Sequence, residues 1–159
     1  MHIIYAFLKN YVCSRIFIIF VQTLTTMETP QKTPAELFAA QALVSQVRKE
    51  LTDNILPYWM QKMTTPEGGF YGRIDGNEQL DPSAPIGNIM TARMLWTFAS
   101  AYRLLGNKEY LDMAQKAKEF IIGRFYDHEL GGTYWSLSSD GSPLDTKKQI
   151  YAIAFTIYG

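Results

Sequence analysis

Apolar residues recur at helical spacing in four stretches of this chain, and the stretches alternate between two kinds. After Thr33, residues Leu37, Ala40, Val44, Val47, Leu51, Ile55 and Trp59 fall on one side. Gln41, Gln46, Arg48, Lys49 and Glu50 fall on the other, so the first helix buries a single face. Thr33, Pro34 and Glu36 read as a capping box with proline at the first helical position. Pro57 should kink this helix or end its regular part. The second stretch, Asn88 to Gly106, is apolar almost all the way round. Ile89, Ala92, Trp96 and Ala99 make one stripe, and Met90, Met94, Ala101 and Leu105 make another. A helix without a polar face has to be enclosed by other elements. Asn107 can cap a third helix, with Leu111, Ala114, Ala117, Ile121 and Phe125 on one face. Its other face carries Lys108, Glu109, Asp112, Gln115, Lys116 and Glu119. The last stretch, QIYAIAFTIYG, is again apolar on every side.

Between the helices lie two loops built alike. Gly68-Gly69-Phe70-Tyr71 is followed by a hairpin signal, FYGRI and then Asp75-Gly76. Gly131-Gly132-Thr133-Tyr134 stands 63 residues further on, with TYWSL as a strand and Asp140-Gly141 as its turn. The order one-faced helix, Gly-Gly hairpin loop, all-round apolar helix therefore occurs twice, which marks a repeated supersecondary unit. One-faced helices suit an outer layer and all-round apolar helices an inner one, so the expected fold is all-α, part of an α/α barrel. Two such hairpins cannot close a ring, and each inner helix would leave a bare apolar side. The expectation is a chain that forms the N-terminal part of a longer protein, or one that associates to cover itself; its oligomeric state is left open.

Composition narrows the function classes. Fifteen basic residues balance fifteen acidic ones with no basic stripe, which argues against a nucleic-acid partner. Cys13 is the only cysteine, so there is no internal disulfide framework, and a reducing cytoplasm is the simplest location. His2 and His128 are the only histidines and have no metal-ligand spacing around them, so no metal site or other cofactor is expected. Residues 1–32 stand apart as a leader, and 33–159 as the domain proper. The run Ile16 to Phe20 is shorter than the roughly 18 apolar residues of a stable membrane span. It reads either as a signal-like core or as sequence upstream of a true start at Met27.

Arg93 is the residue that chemistry singles out. It lies in the middle of the enclosed helix, with Thr97 and Ser100 on the same side. A guanidinium keeps its charge, so it must meet water, an acid or a ligand. Two readings are open on chemistry alone: a cation presented to a cavity, or an arginine paired with a buried carboxylate or carbonyl.

The segments LPYWM, GGFYG, ARMLWTFASAYRLLGNKEYLDMA and GGTYWSL, with the ending KKQIYAIAFTIYG, resemble the N-terminal region of the N-acylglucosamine 2-epimerase superfamily. The resemblance runs from about Glu36 to Gly159 and is strongest toward the members that act on cellobiose. It implies an (α/α)6 barrel of six helical hairpins, of which this chain supplies about two, with short β-hairpins in the Gly-Gly loops. It implies a small sugar substrate, cellobiose or an N-acylglucosamine, epimerised at C2. In the family a base removes the C2 proton, a cis-enediol forms, and a proton returns to the opposite face. Histidines carry the protons, and an arginine on an early inner helix supports the oxygen. Arg93 matches that arginine, in the ARxLW motif, and the resemblance gives it that catalytic role. The family's catalytic histidines fall on later hairpins, and neither His2 nor His128 replaces them, so this chain by itself should not epimerise a sugar.

Two residues join Arg93 as candidate substrate contacts. Tyr151, at the matching place on the second inner helix, either points its hydroxyl into the cavity or packs with it at the rim. Trp96 either stacks on a sugar ring or packs in the core. Phe70, Tyr71, Tyr134 and Trp135 read as hairpin packing, and Glu67, Asp127 and Glu129 as solvated loop acids. Three other functions compete. A glycoside hydrolase would need paired carboxylates, which the inner helices do not offer. An aldose–ketose isomerase of the same superfamily would use the same enediol. An inactive product is the third.

Overall fold

The computed structural model describes residues 33–66 and 68–159. Residues 1–32 and Glu67, with the readings made above for the leader, Cys13, His2 and Met27, lie outside the described residues. The chain divides into two compact units, residues 1–52 and 53–159.

In the first unit, α1 spans Pro34–Glu50 and starts on the expected capping box. The Thr33 hydroxyl accepts from the Glu36 N–H, and the Glu36 carboxylate accepts from the Thr33 N–H at 2.8 Å. None of the residues of α1 is buried, and Leu37, Val44 and Val47 of its apolar stripe are exposed. The helical stretch does not end at Pro57. A π-helical turn, Leu51–Ile55, spans the boundary, and α2, Leu56–Lys62, belongs to the second unit, with proline in its first turn. A proline lacks the N–H that would bond four residues back and its ring crowds that carbonyl; a wider turn just before it relieves both. The extra residue in the turn also shifts the phase of the stripe. Leu56 becomes fully buried, whereas the regular spacing pointed to Ile55 and Trp59.

The second unit holds the repeat. A hairpin of β1 (Arg73–Ile74) and β2 (Leu80–Asp81) follows the first Gly-Gly pair. Next come β3 (Ile86–Gly87) and the inner helix α3, Asn88–Leu105, closed by Gly106 in the left-handed conformation, φ 74°. Then α4, Lys108–Phe120, begins on Asn107, whose side chain accepts from the Glu109 N–H. A second π-helical turn, Ile121–Phe125, leads into the second Gly-Gly loop. After β4 (Ser136–Leu137) and β5 (Pro143–Asp145), the inner helix α5 spans Ile150–Tyr158.

The two loops repeat in their hydrogen bonds as well as in their letters. Tyr71 N–H donates to Met63 O, and Tyr134 N–H donates to Phe125 O. Thr65 N–H reaches Gly69 O, and Asp127 N–H reaches Gly132 O, so the second loop is one residue longer. Its extra residue is absorbed by a second glycine with positive φ: Gly131 and Gly132 are both left-handed, against Gly68 alone in the first loop.

The sheet was not foreseen. β3 of the first loop pairs with β4 of the second, Ile86 opposite Leu137, and β5 pairs with β4 on its other edge. The loops thus form one three-stranded antiparallel sheet with the strand order β3-β4-β5, beside the separate β1-β2 hairpin. Local turn signals report only neighbours in sequence, and this pairing joins residues about fifty apart. Beneath it lies a core of Ile86, Ala92, Ile121, Phe125 and Leu137, against which Phe155 and Tyr134 pack. α4 buries Tyr110, Met113, Ala114 and Ala117, and all six of its predicted polar positions are exposed. α5 is covered on one side only: Ala152 is buried, while Ile150, Tyr151, Ile157 and Tyr158 are exposed.

Candidate functional site

α3 and α5 lie side by side, and their contacts pair Asn88 with Thr156, Arg93 with Phe155, and Trp96 with Tyr158. The glycine after α5 allows the closest approach: a Cβ built on Gly159 would lie 2.7 Å from the Ala92 carbonyl oxygen.

Arg93 is half-buried in this arrangement, with its guanidinium carbon 5.0 Å from the centre of the Phe155 ring. A cation over an aromatic face is held by the ring's quadrupole, while its N–H groups stay free to point elsewhere. The described ion pairs join Arg73 to Asp81, Lys147 to Asp145 and Lys148 to Asp127. Among the described residues, Arg93 has no carboxylate or carbonyl partner.

Tyr151 packs edge-on against the same Phe155 ring, 4.9 Å between centres and 70° between planes, and 59% of it is exposed. Phe155 thus touches both Arg93 and Tyr151, the two predicted residues. Trp96 is stacked on Tyr158 at 6.0 Å and 20°. Phe155 was missed in the sequence because it lies inside a run that is apolar on every side. Its spacing of four from Tyr151 was the available signal.

The start of α3 is fixed by the second loop. Asn88 N–H, which as the first residue of the helix has no partner within it, donates to Trp135 O at 3.1 Å. The fully buried Asn88 side chain gives its two amide hydrogens to Thr133 Oγ1 at 2.7 Å and Tyr134 O at 3.0 Å. Its Oδ1 accepts from Thr156 Oγ1 at 2.9 Å.

Asp127 is not the solvated loop acid that the sequence suggested. It is 6% exposed and bonds Lys148 Nζ at 2.7 Å, two residues before α5 begins. It also accepts from the Glu129 and Leu130 N–H groups. The sequence hid this because the partner is twenty-one residues away. Chiefly the Lys148 bond, then the backbone donors, hold the Asp127 carboxyl down at about 2. Its contribution to stability is therefore complete above pH 3.8 and lost as pH falls through about 2. Asp127→Asn should lower stability at neutral pH, and its deficit relative to the parent chain should shrink between pH 4 and pH 2. Acid-unfolding curves of the two proteins, followed by circular dichroism, check this.

Glu129 and His128 are exposed as expected, and His128 Nε2 lies 3.1 Å from the Ile122 carbonyl oxygen. Phe70 is buried edge-on against Phe120, which fits its reading as hairpin packing. No described helix is long and apolar enough to cross a membrane.

Two packed inner helices preceded by strands of one sheet of hairpin loops define a repeated helical array with an arginine over an aromatic ring. Residues 69–159 match the profile of the N-acylglucosamine 2-epimerase (GlcNAc 2-epimerase) family, and the chain belongs to that family. It is 60% identical over 118 residues to a cellobiose 2-epimerase of Bacteroides fragilis, covering 74% of this chain and 30% of that protein. The structure of a cellobiose 2-epimerase from Bacillus thermoamylovorans B4167 superposes with a TM-score of 0.71 at 37% identity, covering 74% of this chain and 30% of the other. A D-mannose isomerase structure matches less closely, with a TM-score of 0.57 and 26% identity over 64% of this chain and 26% of its own. The chain spans about 30% of the length of the curated relatives it matches.

Proposed function

We propose that this chain supplies the oxygen-holding side of a sugar 2-epimerase site, within two of the six hairpins of an (α/α)6 barrel. The substrate is a glucose-type sugar, with cellobiose favoured over an N-acylglucosamine by the identity to cellobiose 2-epimerases. The observation that carries the reading is Arg93: an inner-helix cation braced on Phe155, with no described anionic partner, in the ARxLW position of the family. In the open-chain aldehyde, loss of the C2 proton places negative charge on O1. A fixed guanidinium directed there stabilises the enediolate more than the neutral aldehyde, which is the condition for lowering the barrier. Tyr151, whose ring packs on Phe155, is read as giving a hydroxyl to the same sugar, and Trp96 as a further aromatic contact. The proton transfers need groups on opposite faces of C2. His128 is bound to a carbonyl in the outer loop and does not serve, so this chain alone is expected to hold sugar without epimerising it.

Saturation-transfer NMR with cellobiose tests the reading. The parent chain should transfer magnetisation to the sugar, and Arg93→Ala should reduce the effect about tenfold, the weight of one charged hydrogen bond. An Arg93→Ala protein that binds cellobiose as well as its parent would refute the assignment. The match to a D-mannose isomerase supports one second reading, an aldose–ketose isomerase site. Stronger transfer to mannose than to cellobiose would favour it.

A further inference from the structure

The Arg93–Phe155–Tyr151 group depends on how α5 is rotated and slid along α3, and apolar contacts alone set neither sharply. Ile86, Ala92, Leu137 and Phe155 meet through non-directional packing. Hydrogen bonds, in contrast, fix both distance and angle. In the second unit, one buried side chain makes such bonds to both the second loop and α5. We propose that Asn88 is a positioning residue, which through Thr156 sets the rotation of α5 that places Phe155 beneath Arg93 and beside Tyr151. The proposal rests on the reading of Arg93 as the sugar-holding cation for its functional meaning, though not for its geometry.

Three observations carry it. Asn88 is fully buried, and all of its polar capacity in the described structure is directed: Nδ2 to Thr133 Oγ1 and Tyr134 O, Oδ1 to Thr156 Oγ1. Thr156 is the residue next to Phe155, so a slip of one position along α5 would turn Phe155 about 100° away from Arg93. The Thr156 hydroxyl has a single hydrogen and two acceptors in reach, Asn88 Oδ1 at 2.9 Å and the Ala152 carbonyl at 3.0 Å. Ala152 O is already served by its own helix, whereas Oδ1 of Asn88 has no other described donor. The buried amide therefore gains most from keeping Thr156 where it is.

The contacts also form a closed circuit. Asn88 binds the second loop at Thr133 and Tyr134, and that loop binds Lys148 through Asp127. Lys148 leads into α5, and α5 returns to Asn88 at Thr156. The helix is thus held near both ends by polar bonds that share one loop. An amide suits the central place because it donates twice and accepts on one short side chain; aspartate would offer no donor to Thr133 Oγ1 or Tyr134 O.

The test uses the whole chain with Asn88→Ala, Thr156→Val and Thr156→Ser, and reads the side-chain Nε–Hε signal of Arg93 by NMR. Lying over the Phe155 ring, this proton should carry a ring-current shift in the parent protein. Thr156→Val keeps the shape and removes the hydroxyl, and Thr156→Ser restores it. The proposal expects the Arg93 signal to move toward its free-arginine position in Asn88→Ala and Thr156→Val, and to stay at the parental position in Thr156→Ser. Cellobiose saturation transfer should fall about tenfold in the first two variants and be kept in the third. A folded Thr156→Val protein with the parental Arg93 signal would overturn the proposal, as would an equal displacement in Thr156→Ser. If Asn88→Ala fails to fold, the threonine pair still decides. If the parent chain binds no cellobiose, the sugar-site reading fails, while the Arg93 signal still judges the positioning role.

Discussion

Phe125→Ala is expected to destabilise residues 53–159 by about 3–5 kcal/mol, the usual cost of emptying a large aromatic site in a core. Phe125 is fully buried at the end of the π-helical turn. It belongs to one buried cluster with Ile86 of β3, Ala92 of α3, Ile121 of its own turn and Leu137 of β4. It lies edge-on to Phe120, 6.0 Å between centres. Its carbonyl accepts from the Tyr134 N–H and so ties down the second Gly-Gly loop. A collapse that refilled the space would have to move the sheet and the inner helix together. Urea unfolding monitored by circular dichroism measures the loss. A change below about 1 kcal/mol would mean that this cluster is not the centre of the unit.

Gly72→Ala should be the next most damaging single change, costing about 3 kcal/mol. A Cβ at Gly72 would stand 2.1 Å from the Pro85 carbonyl oxygen and 2.6 Å from its carbon. Both obstacles are backbone, so no side chain can swing aside, and the strand that leads into α3 would have to shift. The φ of Gly72 is negative, so the need for glycine comes from this close approach and not from turn geometry. Gly123→Ala is the matched control. It lies in the second π-helical turn with nothing within 4 Å of the added carbon, and its effect should stay within about 0.5 kcal/mol. Thermal melting of the two variants beside the parent protein separates close approach from a general penalty for replacing glycine.

Much of this architecture was written in the spacing of the sequence. The caps at Thr33 and Asn107, the polar face of α4 and the duplicated Gly-Gly loop all follow from contacts within a few residues, which is the range over which pattern and propensity act. What the pattern could not carry was long-range. The β3–β4 pairing, the Asp127–Lys148 bond and the Asn88–Thr156 bond each join partners far apart in the chain. Composition gives no hint of such partners, and an acid between a tyrosine and a histidine in a loop looks solvated until its lysine is located. The π-helical turns were hidden for a different reason. They insert a residue into a helix without changing its apolar character, so the stripe drifts by one position and Leu56 is buried in place of its neighbours.

The candidate site was legible in part. Arg93 and Tyr151 were found because a charge and a hydroxyl stand out in apolar helices. Phe155, the ring that touches both, has no such contrast with its surroundings. Trp96 was read as either stacking on a sugar or packing in the core, and its ring is stacked on Tyr158. The arrangement is thus an aromatic platform carrying one cation, polar at its edge and exposed along α5. That surface suits a sugar, which offers apolar ring faces to aromatics and oxygens to a guanidinium.

The central claim is that Arg93, braced on Phe155, is the group that holds the sugar. The most direct measurement is the Arg93 Nε–Hε signal followed by NMR while cellobiose is added to the whole chain. The account predicts a saturable movement of that signal, with Phe155 and Tyr151 moving in parallel and at the same sugar concentration. An Arg93 signal that stays in place while cellobiose saturates the protein elsewhere would contradict it.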